Sequence, residues 1–334
     1  MSTPLVIKRW LGSLSQQTLQ SRYLPGTCVV FTLHRVLTEK EFKNTRFQRS
    51  IAISDVALRL FLITIKQRFN IISLQQLIDH QKNDRGTLDV KLSYACITFD
   101  DGWRDNYTNA FPILKELNVP ATIFLSTAYI DSTCGFWWQQ LGDILLNEEL
   151  SDSQRADLAA LLSRYLKTSL ANSLDADGII DTIKREHYSD AHTITDQAIS
   201  IANTDVPQHG LSWSQCQEMS GYNISFGSHS ISHPRLSLLS KAEQENELVA
   251  SKLEISQKRI SYVNGVCYPY GDFNQSVVGF AKQNYDIGLT TNAGIYRLDF
   301  TTTMLVPRIN VHQALALDSD RLSYRLMRAA LRRS

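Results

Sequence analysis

The spacing of apolar positions divides the chain into alternating strand-like and helix-like runs. Ile7, Trp10, Leu11 and Leu14 recur at helical intervals beside Lys8 and Arg9, which predicts a short amphipathic helix in a terminal unit of residues 1–24, before Pro25 and Gly26 break the chain. CVVFTLHRV (28–36) is β-rich and reads as the first core strand. In 54–69, Ser54 and Asp55 are cap candidates, and Val56, Leu58, Leu60, Phe61, Ile63 and Ile65 suit a buried helix. NIISL (70–74) predicts a short strand, SLQQLIDHQ (73–81) a helix, and YACITFDDG (94–102) a strand running into two carboxylates and a glycine. NAFPILKELNV (109–119) reads as a helix ended near Pro120, and ATIFLST (121–127) as the next buried strand. Strand, helix, strand at short spacing is the signature of a parallel α/β architecture.

From about 136 to 206 that rhythm breaks. The stretch is helical and polar, headed by Phe136-Trp137-Trp138, and reads as an insertion. The α/β pattern then resumes with helices at 212–223, 241–258 and 277–285, a strand end at 225–230, a strand and loop at 264–271, and strands at 286–291 and 304–311. The basic segment RLSYRLMRAALRRS (321–334) predicts a last helix, within a terminal unit of 316–334.

Composition acts mainly by exclusion. The 334 residues are 43% hydrophobic and 20% charged, enough for a large buried core. A net charge of +1, from 34 basic against 33 acidic residues, gives no reason to expect a nucleic-acid partner. Five scattered cysteines without a CxxC predict reduced, buried thiols rather than a disulfide framework. No apolar run approaches the ~20 residues that span a bilayer. The first residues carry no uninterrupted apolar segment of the signal-peptide kind, so a cytoplasmic location is expected. Both terminal helices are basic and amphipathic. Leu322, Leu326, Ala329 and Ala330 lie beside Arg321, Arg325, Arg328, Arg332 and Arg333, which suggests peripheral contact with the cytoplasmic membrane face. The competing reading is that both helices pack on the protein and leave their arginines in water.

Three segments carry chemistry. Thr98-Phe99-Asp100-Asp101-Gly102 places two carboxylates at the C-terminal end of a strand, where parallel barrels build their sites. Adjacent side chains on a strand point apart, so one carboxylate can bind a cation while the other works as a base. Ser228-His229-Ser230-Ile231-Ser232-His233-Pro234 holds two histidines four apart, able to face one point if the backbone turns helically. Cys267-Tyr268-Pro269-Tyr270-Gly271-Asp272 offers an apolar wall and backbone N–H groups for an oxyanion. The plain alternatives are a solvated Asp-Asp-Gly turn, a pair of surface histidines and a Pro-Gly turn. Taken together, Asp101, His229 and His233 form a two-histidine, one-carboxylate set that suits an Fe(II) oxygenase or a hydrolytic zinc site. The extra carboxylate, Asp100, favours hydrolysis, because an attacking water needs a base.

At these residues the sequence resembles the polysaccharide deacetylase family, the NodB-homology domain of carbohydrate esterase family 4. TFDDG (98–102), HSISHP (229–234) and YPYGDF (268–273) are similar to its first three motifs, and the likeness spans roughly 28–135 and 206–312. The resemblance implies an α/β fold, a distorted (β/α)7-type barrel over 25–315 carrying the helical insertion. It implies a divalent metal, usually zinc, with Co2+, Mn2+ or Ni2+ as alternatives, and hydrolysis of an acetyl group, most often N-acetyl, on a poly- or oligosaccharide or lipid-linked sugar. Asp100 would be the general base, Asp101, His229 and His233 the metal ligands, and the Tyr270 N–H an oxyanion donor. Substrate contacts are expected from His34, Trp103, Tyr268, Pro269 and Trp137. Two departures stand out. The family's third motif commonly carries an arginine where this chain has Cys267, and Arg308 in VPRINV (306–311) is a candidate to replace its charge. The family's last motif carries a histidine as general acid, for which His312 is a poor match and His34 a rival. Alternative readings are a catalytically weak glycan-binding barrel and a hydrolase of a non-sugar amide.

Overall fold

β-branched and small residues build the central strands of the computed structural model, and the helices follow from their own caps. The structure describes residues 18–82, 87–132, 135–166, 175–205, 207–300 and 302–331, with positions 4, 7, 9 and 11–13. The chain enters through β1 (Thr27–Leu33), turns at His34 and continues as β2 (Arg35–Leu37). After α1 (Glu39–Asn44), β3 (Ala52–Ser54) pairs with β2 in a separate ribbon. Ser54 Oγ accepts from the Ala57 N–H and starts α2 (Asp55–Lys66). Then come β4 (Asn70–Ile71), α3 (Leu74–Lys82), β5 (Ser93–Phe99), α4 (Phe111–Glu116) and β6 (Ala121–Leu125). The insertion supplies α5 (Trp137–Leu145), α6 (Asp152–Ser163), α7 (Ala176–Glu186) and α8 (Ala191–Ala202). The α/β alternation resumes with α9 (Trp213–Ser220), β7 (Ile224–Ser228), α10 (Lys241–Gln257) and β8 (Tyr262–Cys267). It ends with α11 (Gln275–Asn284), β9 (Ile287–Leu289), β10 (Tyr296–Arg297), β11 (Ile309–Asn310), α12 (Gln313–Ala316) and α13 (Ser319–Leu331).

The main sheet runs β10-β1-β5-β6-β7-β8-β9, with β11 also on β1 and β4 on β5. Every pairing is parallel except β1 with β10. The sheet curls, and one segment spans the gap between its ends. Val306 bridges to Leu289 of β9, and Ile309 pairs with Phe31 of β1. The result is a distorted (β/α)7-type barrel. Period-two alternation sorts the strand side chains. Val29, Phe31, Leu33, Ile97, Phe99 and Ile123 join Phe61 and Leu62 of α2 in the largest core. Cys28, Val30, Cys96, Phe124, Cys267 and Leu289 share a second one. Strands buried on both faces account for the near-continuous apolar runs in the sequence. The insertion has a core of its own, in which Trp103, Tyr129, Phe136, Trp137 and Trp138 meet leucines and isoleucines of α5 to α8.

Several expectations shift on the structure. The run 28–36 is two strands, because the chain leaves the sheet at His34 to pair with β3. The strand expected over 304–311 is paired only at Val306 and at 309–310. The strand at 70–74 shortens to two residues, and the helix at 109–119 to 111–116, preceded by a π-turn at Asn106–Ala110. Trp10 and Leu14 of the first expected helix lie outside the described residues, of which 7, 9, 11–13 and 18 are helical, with a π-turn following at Leu19–Tyr23. In α13, Leu322, Leu326 and Ala329 are buried in the main core. That apolar stripe packs against the barrel, as in the competing reading of this helix. Among the described residues, no helix is long and apolar enough to cross a membrane. Four cysteines, Cys28, Cys96, Cys216 and Cys267, are buried free thiols; Cys134 lies outside the described residues.

Candidate active site

The C-terminal ends of the parallel strands converge on a cavity of about 460 Å³ lined by His34, Asp100, Asp101, His229, His233, Tyr268 and Tyr270. Asp100 and Asp101 follow β5 directly. The chain reverses there through two left-handed residues, Asp101 (φ 75°) and Gly102 (φ 87°). A Cβ on Gly102 would lie 2.9 Å from Leu125, so this turn requires glycine. Trp103 Nε1–H then donates to Asp101 Oδ2 at 2.7 Å. That bond occupies one carboxylate oxygen and leaves Oδ1 facing the histidines.

His229 follows β7, and its N–H donates to the Leu125 carbonyl at 2.9 Å. Its Nδ1 is 2.7 Å from the Cys267 carbonyl, a bond that requires the proton on Nδ1 and leaves Nε2 as a lone pair. The four-residue spacing to His233 is bridged by a loop with left-handed residues at Ser230 (φ 66°) and His233 (φ 62°), which corrects the helical turn expected from the sequence. The outcome for the side chains is the same. His229 Nε2 and His233 Nε2 both lie 3.3 Å from Asp101 Oδ1.

Two imidazoles and a carboxylate within 4.8 Å of one another form a set able to hold a metal ion. Asp101 Oδ1 is buried and has no hydrogen-bond partner among the described residues. A lone-pair nitrogen against a carboxylate oxygen is repulsive unless a cation or a proton lies between them, so this donor set fits a divalent cation. Burial works against charge at all three groups. Asp101 is nonetheless held well below the usual carboxylate range by the two histidines, and His229 is raised by Cys267 and Asp101. His233 is lowered to about 4, by burial and by its neighbour His229.

Beside this set stands a second, all-protein one. Burial pushes Asp100 up, but the Arg308 charge overrides it and holds the carboxyl well below its usual range. Arg308 comes from the segment that closes the barrel and is itself fully buried. It meets Asp100 with two bonds, Nη1 to Oδ1 at 2.8 Å and Nη2 to Oδ2 at 2.7 Å. Its remaining donors reach the Thr290 carbonyl, Thr32 Oγ1, Thr98 Oγ1 and Cys267 Sγ. The chain thus places a guanidinium against Cys267, the position where an arginine was expected, and the small thiol leaves room for it. Burial keeps the Cys267 thiol raised.

The other expected residues separate. His34 lines the cavity with Nε2 3.9 Å from Asp100 Oδ2, and its Nδ1 has no hydrogen-bond partner among the described residues. Tyr270 is left-handed (φ 57°). Among the described residues no acceptor takes its N–H, whereas the Gly271 and Asp272 N–H groups fold back onto Tyr268 and Pro269. Tyr268 lines the cavity, but its hydroxyl donates to the Met304 carbonyl. Trp103, Pro269 and Trp137 were expected at the substrate and are not on the cavity. Trp103 and Trp137 are buried in the insertion core, and Pro269 is buried beneath the turn it starts. His312 is exposed at the start of α12, near Arg321 and Arg325, away from the cavity.

Sequence reading missed the insertion's contribution. Trp138, not Trp137, faces the cavity, and α7 adds Asp177, Asp181 and Lys184. Those three sit at i, i+4 and i+7, opposite the buried Ile179, Ile180 and Ile183, a polar stripe legible in ADGIIDTIKRE. Lys184 Nζ lies 5.5 Å from both the Trp138 and Tyr270 rings, and burial lowers its ammonium.

This geometry has counterparts. The polysaccharide deacetylase family signature matches residues 89–287, and the chain belongs to that family. The Bacillus subtilis (strain 168) protein YxkH, whose name places it provisionally among polysaccharide deacetylases, is 25% identical over 211 residues, 62% of this chain and 49% of its own length. The chain therefore spans about half the length of that curated relative. Among solved structures, the Streptococcus pyogenes deacetylase PplD in complex with acetate superposes with a TM-score of 0.58 at 17% identity, covering 92% of this chain and 99% of its own. IcaB from Ammonifex degensii gives 0.56 at 16% identity, covering 90% and 97%. The polysaccharide deacetylase BC0361 from Bacillus cereus gives 0.54 at 17%, covering 89% and 69%. At these identities the structures support the shared fold.

Proposed function

We propose that the chain is a divalent-metal-dependent hydrolase that removes acetyl groups, foremost N-acetyl groups, from a glycan. One observation carries this reading: a carboxylate kept ionised by a buried arginine, Asp100, stands beside the Asp101, His229 and His233 set in one open cavity. A binding protein has no use for such a base. Asp101, His229 and His233 hold the cation, which when bound supplies Lewis acidity next to the acetyl group. Asp100 takes the proton of the attacking water. The Arg308 pair fixes its ionised form and its direction at a cost in basicity. The Tyr270 N–H donates to the oxyanion that develops on the acetyl oxygen. His34, on the cavity where His312 is not, gives a proton to the leaving nitrogen as the C–N bond breaks and acetate forms. The weak-barrel alternative draws on the absent arginine and the doubtful histidine, and Arg308 against Asp100 speaks against the first of these. Acetate release from N-acetylated chito-oligosaccharides and other acetylated sugars with added Zn2+ or Co2+ tests the proposal. Metal-stimulated release is expected; glycan binding with no acetate from any acetylated sugar would refute it.

A further inference from the structure

The loop between the two histidines is short, left-handed at two non-glycine residues, and held by few groups. Its carbonyls are taken first. Thr127 N–H donates to the Ser230 carbonyl at 3.2 Å and Ala128 N–H to the Ile231 carbonyl at 3.0 Å. The Ser232 carbonyl accepts from two hydroxyls, Tyr129 Oη at 3.1 Å and Tyr188 Oη of the insertion. Of its donors, the Ser230 and His233 N–H groups are taken locally by Ser228 Oγ and Ser230 Oγ, and those of Ile231 and Ser232 point towards α10, where Glu247 meets them with one carboxylate. Oε2 accepts from the Ile231 N–H at 2.8 Å and the Ser232 N–H at 3.0 Å, and Oε1 accepts from Ser232 Oγ at 2.6 Å. Left-handed conformations at Ser230 and His233 are intrinsically unfavourable and persist only where surroundings over-determine them. Glu247 is the only charged group bonded to this backbone among the described residues, and its three bonds fall midway between the two imidazoles.

We infer that Glu247 is a positioning residue for the metal site: by clamping the 231–232 peptide it fixes the distance and angle between the His229 and His233 rings. Tyr188 holds the next peptide through the Ser232 carbonyl, which makes the insertion a part of the metal site as well as a wall of the cavity. The inference rests on the reading of Asp101, His229 and His233 as metal ligands. Groups that orient metal ligands typically cost about 10–100-fold in affinity when removed.

The test is metal affinity of the folded, chelator-stripped full chain. Zn2+ dissociation constants come from chelator competition, ligand geometry from the visible spectrum of the Co2+ form, and fold integrity from circular dichroism of the apoprotein. Glu247→Met is expected to bind Zn2+ about 10–100-fold more weakly, with a changed Co2+ spectrum. Glu247→Gln should stay within a few-fold of wild type, because its amide oxygen still accepts both N–H groups and its NH2 can donate to Ser232 Oγ. Glu247→Asp, one methylene shorter, should fall between them, and it carries the test if the Met variant does not fold. Tyr188→Phe, with Tyr129 still in place, should lose a few-fold. A folded Met or Asp variant with wild-type Zn2+ affinity and an unchanged Co2+ spectrum overturns the inference. A purely structural role would lower the apoprotein melting temperature and leave both readouts unmoved. Failure of the underlying reading looks different: the wild type would bind no metal, or His229→Ala would bind it as well as the wild type does.

Discussion

Replacing Arg308 with Met removes one half of a buried ion pair and leaves the other half in place. Both partners are almost fully enclosed, and five side-chain or carbonyl acceptors surround the guanidinium. Breaking such a pair from one side typically costs ~3–5 kcal/mol, because an uncompensated charge stays buried. At about 2 °C per kcal/mol for a chain of this size, the melting temperature should fall by ~6–10 °C at neutral pH. The loss should depend on pH in a defined sense. In the wild type the Asp100 carboxyl is held below its unfolded value of ~3.9, so its stabilisation is complete above that pH and fades as the pH falls through the folded value. Without Arg308, burial dominates and raises the folded value above the unfolded one. The variant then loses stability as pH rises above ~4. Urea melts of chelator-treated protein should therefore show a wide gap between wild type and variant at pH 7, narrowing towards pH 4. Adding Asp100→Asn to the variant should recover most of the loss at pH 7. Turnover of the single variant should drop by about 10²–10⁴-fold near neutrality, with its acid limb displaced upward, since the base is then protonated. An Arg308→Met protein as stable as wild type at pH 7, or a gap of equal size at every pH, would refute the reasoning.

Three further outcomes are expected. Asp101→Ala, His229→Ala and His233→Ala should each lose metal and activity together, so elemental analysis showing full metal content in His229→Ala would exclude the ligand set. Asp100→Asn should keep its metal and lose about 10²–10⁴-fold in turnover, and a near-normal rate in a metal-replete sample would transfer the role of base to another group. His34→Gln should lower kcat by about 10²-fold or more while His312→Gln leaves it unchanged, and the reverse pattern in initial-rate measurements would return the acid to His312.

The strands were legible because burial on both faces writes them as unbroken apolar runs, and β5, β6 and β8 fall within a few residues of where those runs lie. Helix starts were legible where a serine caps them, as at Ser54, Ser212 and Ser240. The aromatic trio at the head of the insertion was less so. Consecutive helical residues point about 100° apart, so Trp137 and Trp138 cannot both face the cavity. Both are buried in the insertion core, Trp137 in phase with Leu141 and Ile144 and Trp138 with Leu141 and Leu145, so the sequence phase alone does not say which reaches the cavity. The histidine spacing was compatible with a helical turn. The loop takes a left-handed path instead, held by bonds from residues distant in sequence, among them Thr127, Ala128, Tyr188 and Glu247.

Arg308 marks where reading along the chain reaches its limit. It is 208 residues from the carboxylate it serves, and nothing in that separation says they touch. What brings them together is barrel closure: the 306–310 segment lies between β9 and β1 only because the sheet curls far enough for Val306 to meet Leu289 and Ile309 to meet Phe31. From there the guanidinium enters the barrel and approaches Asp100 alongside Cys267 Sγ, 2.9 Å away. A longer side chain at 267 would occupy the same space, so a small residue there and an arginine at 308 form one arrangement rather than two independent departures. Linear comparison registers a missing arginine in one motif and an unassigned one in a later strand. At the barrel's end the Arg308 guanidinium is bonded to both oxygens of the carboxylate, and the proposed chemistry at Asp100 depends on that position rather than on the strand from which the arginine comes.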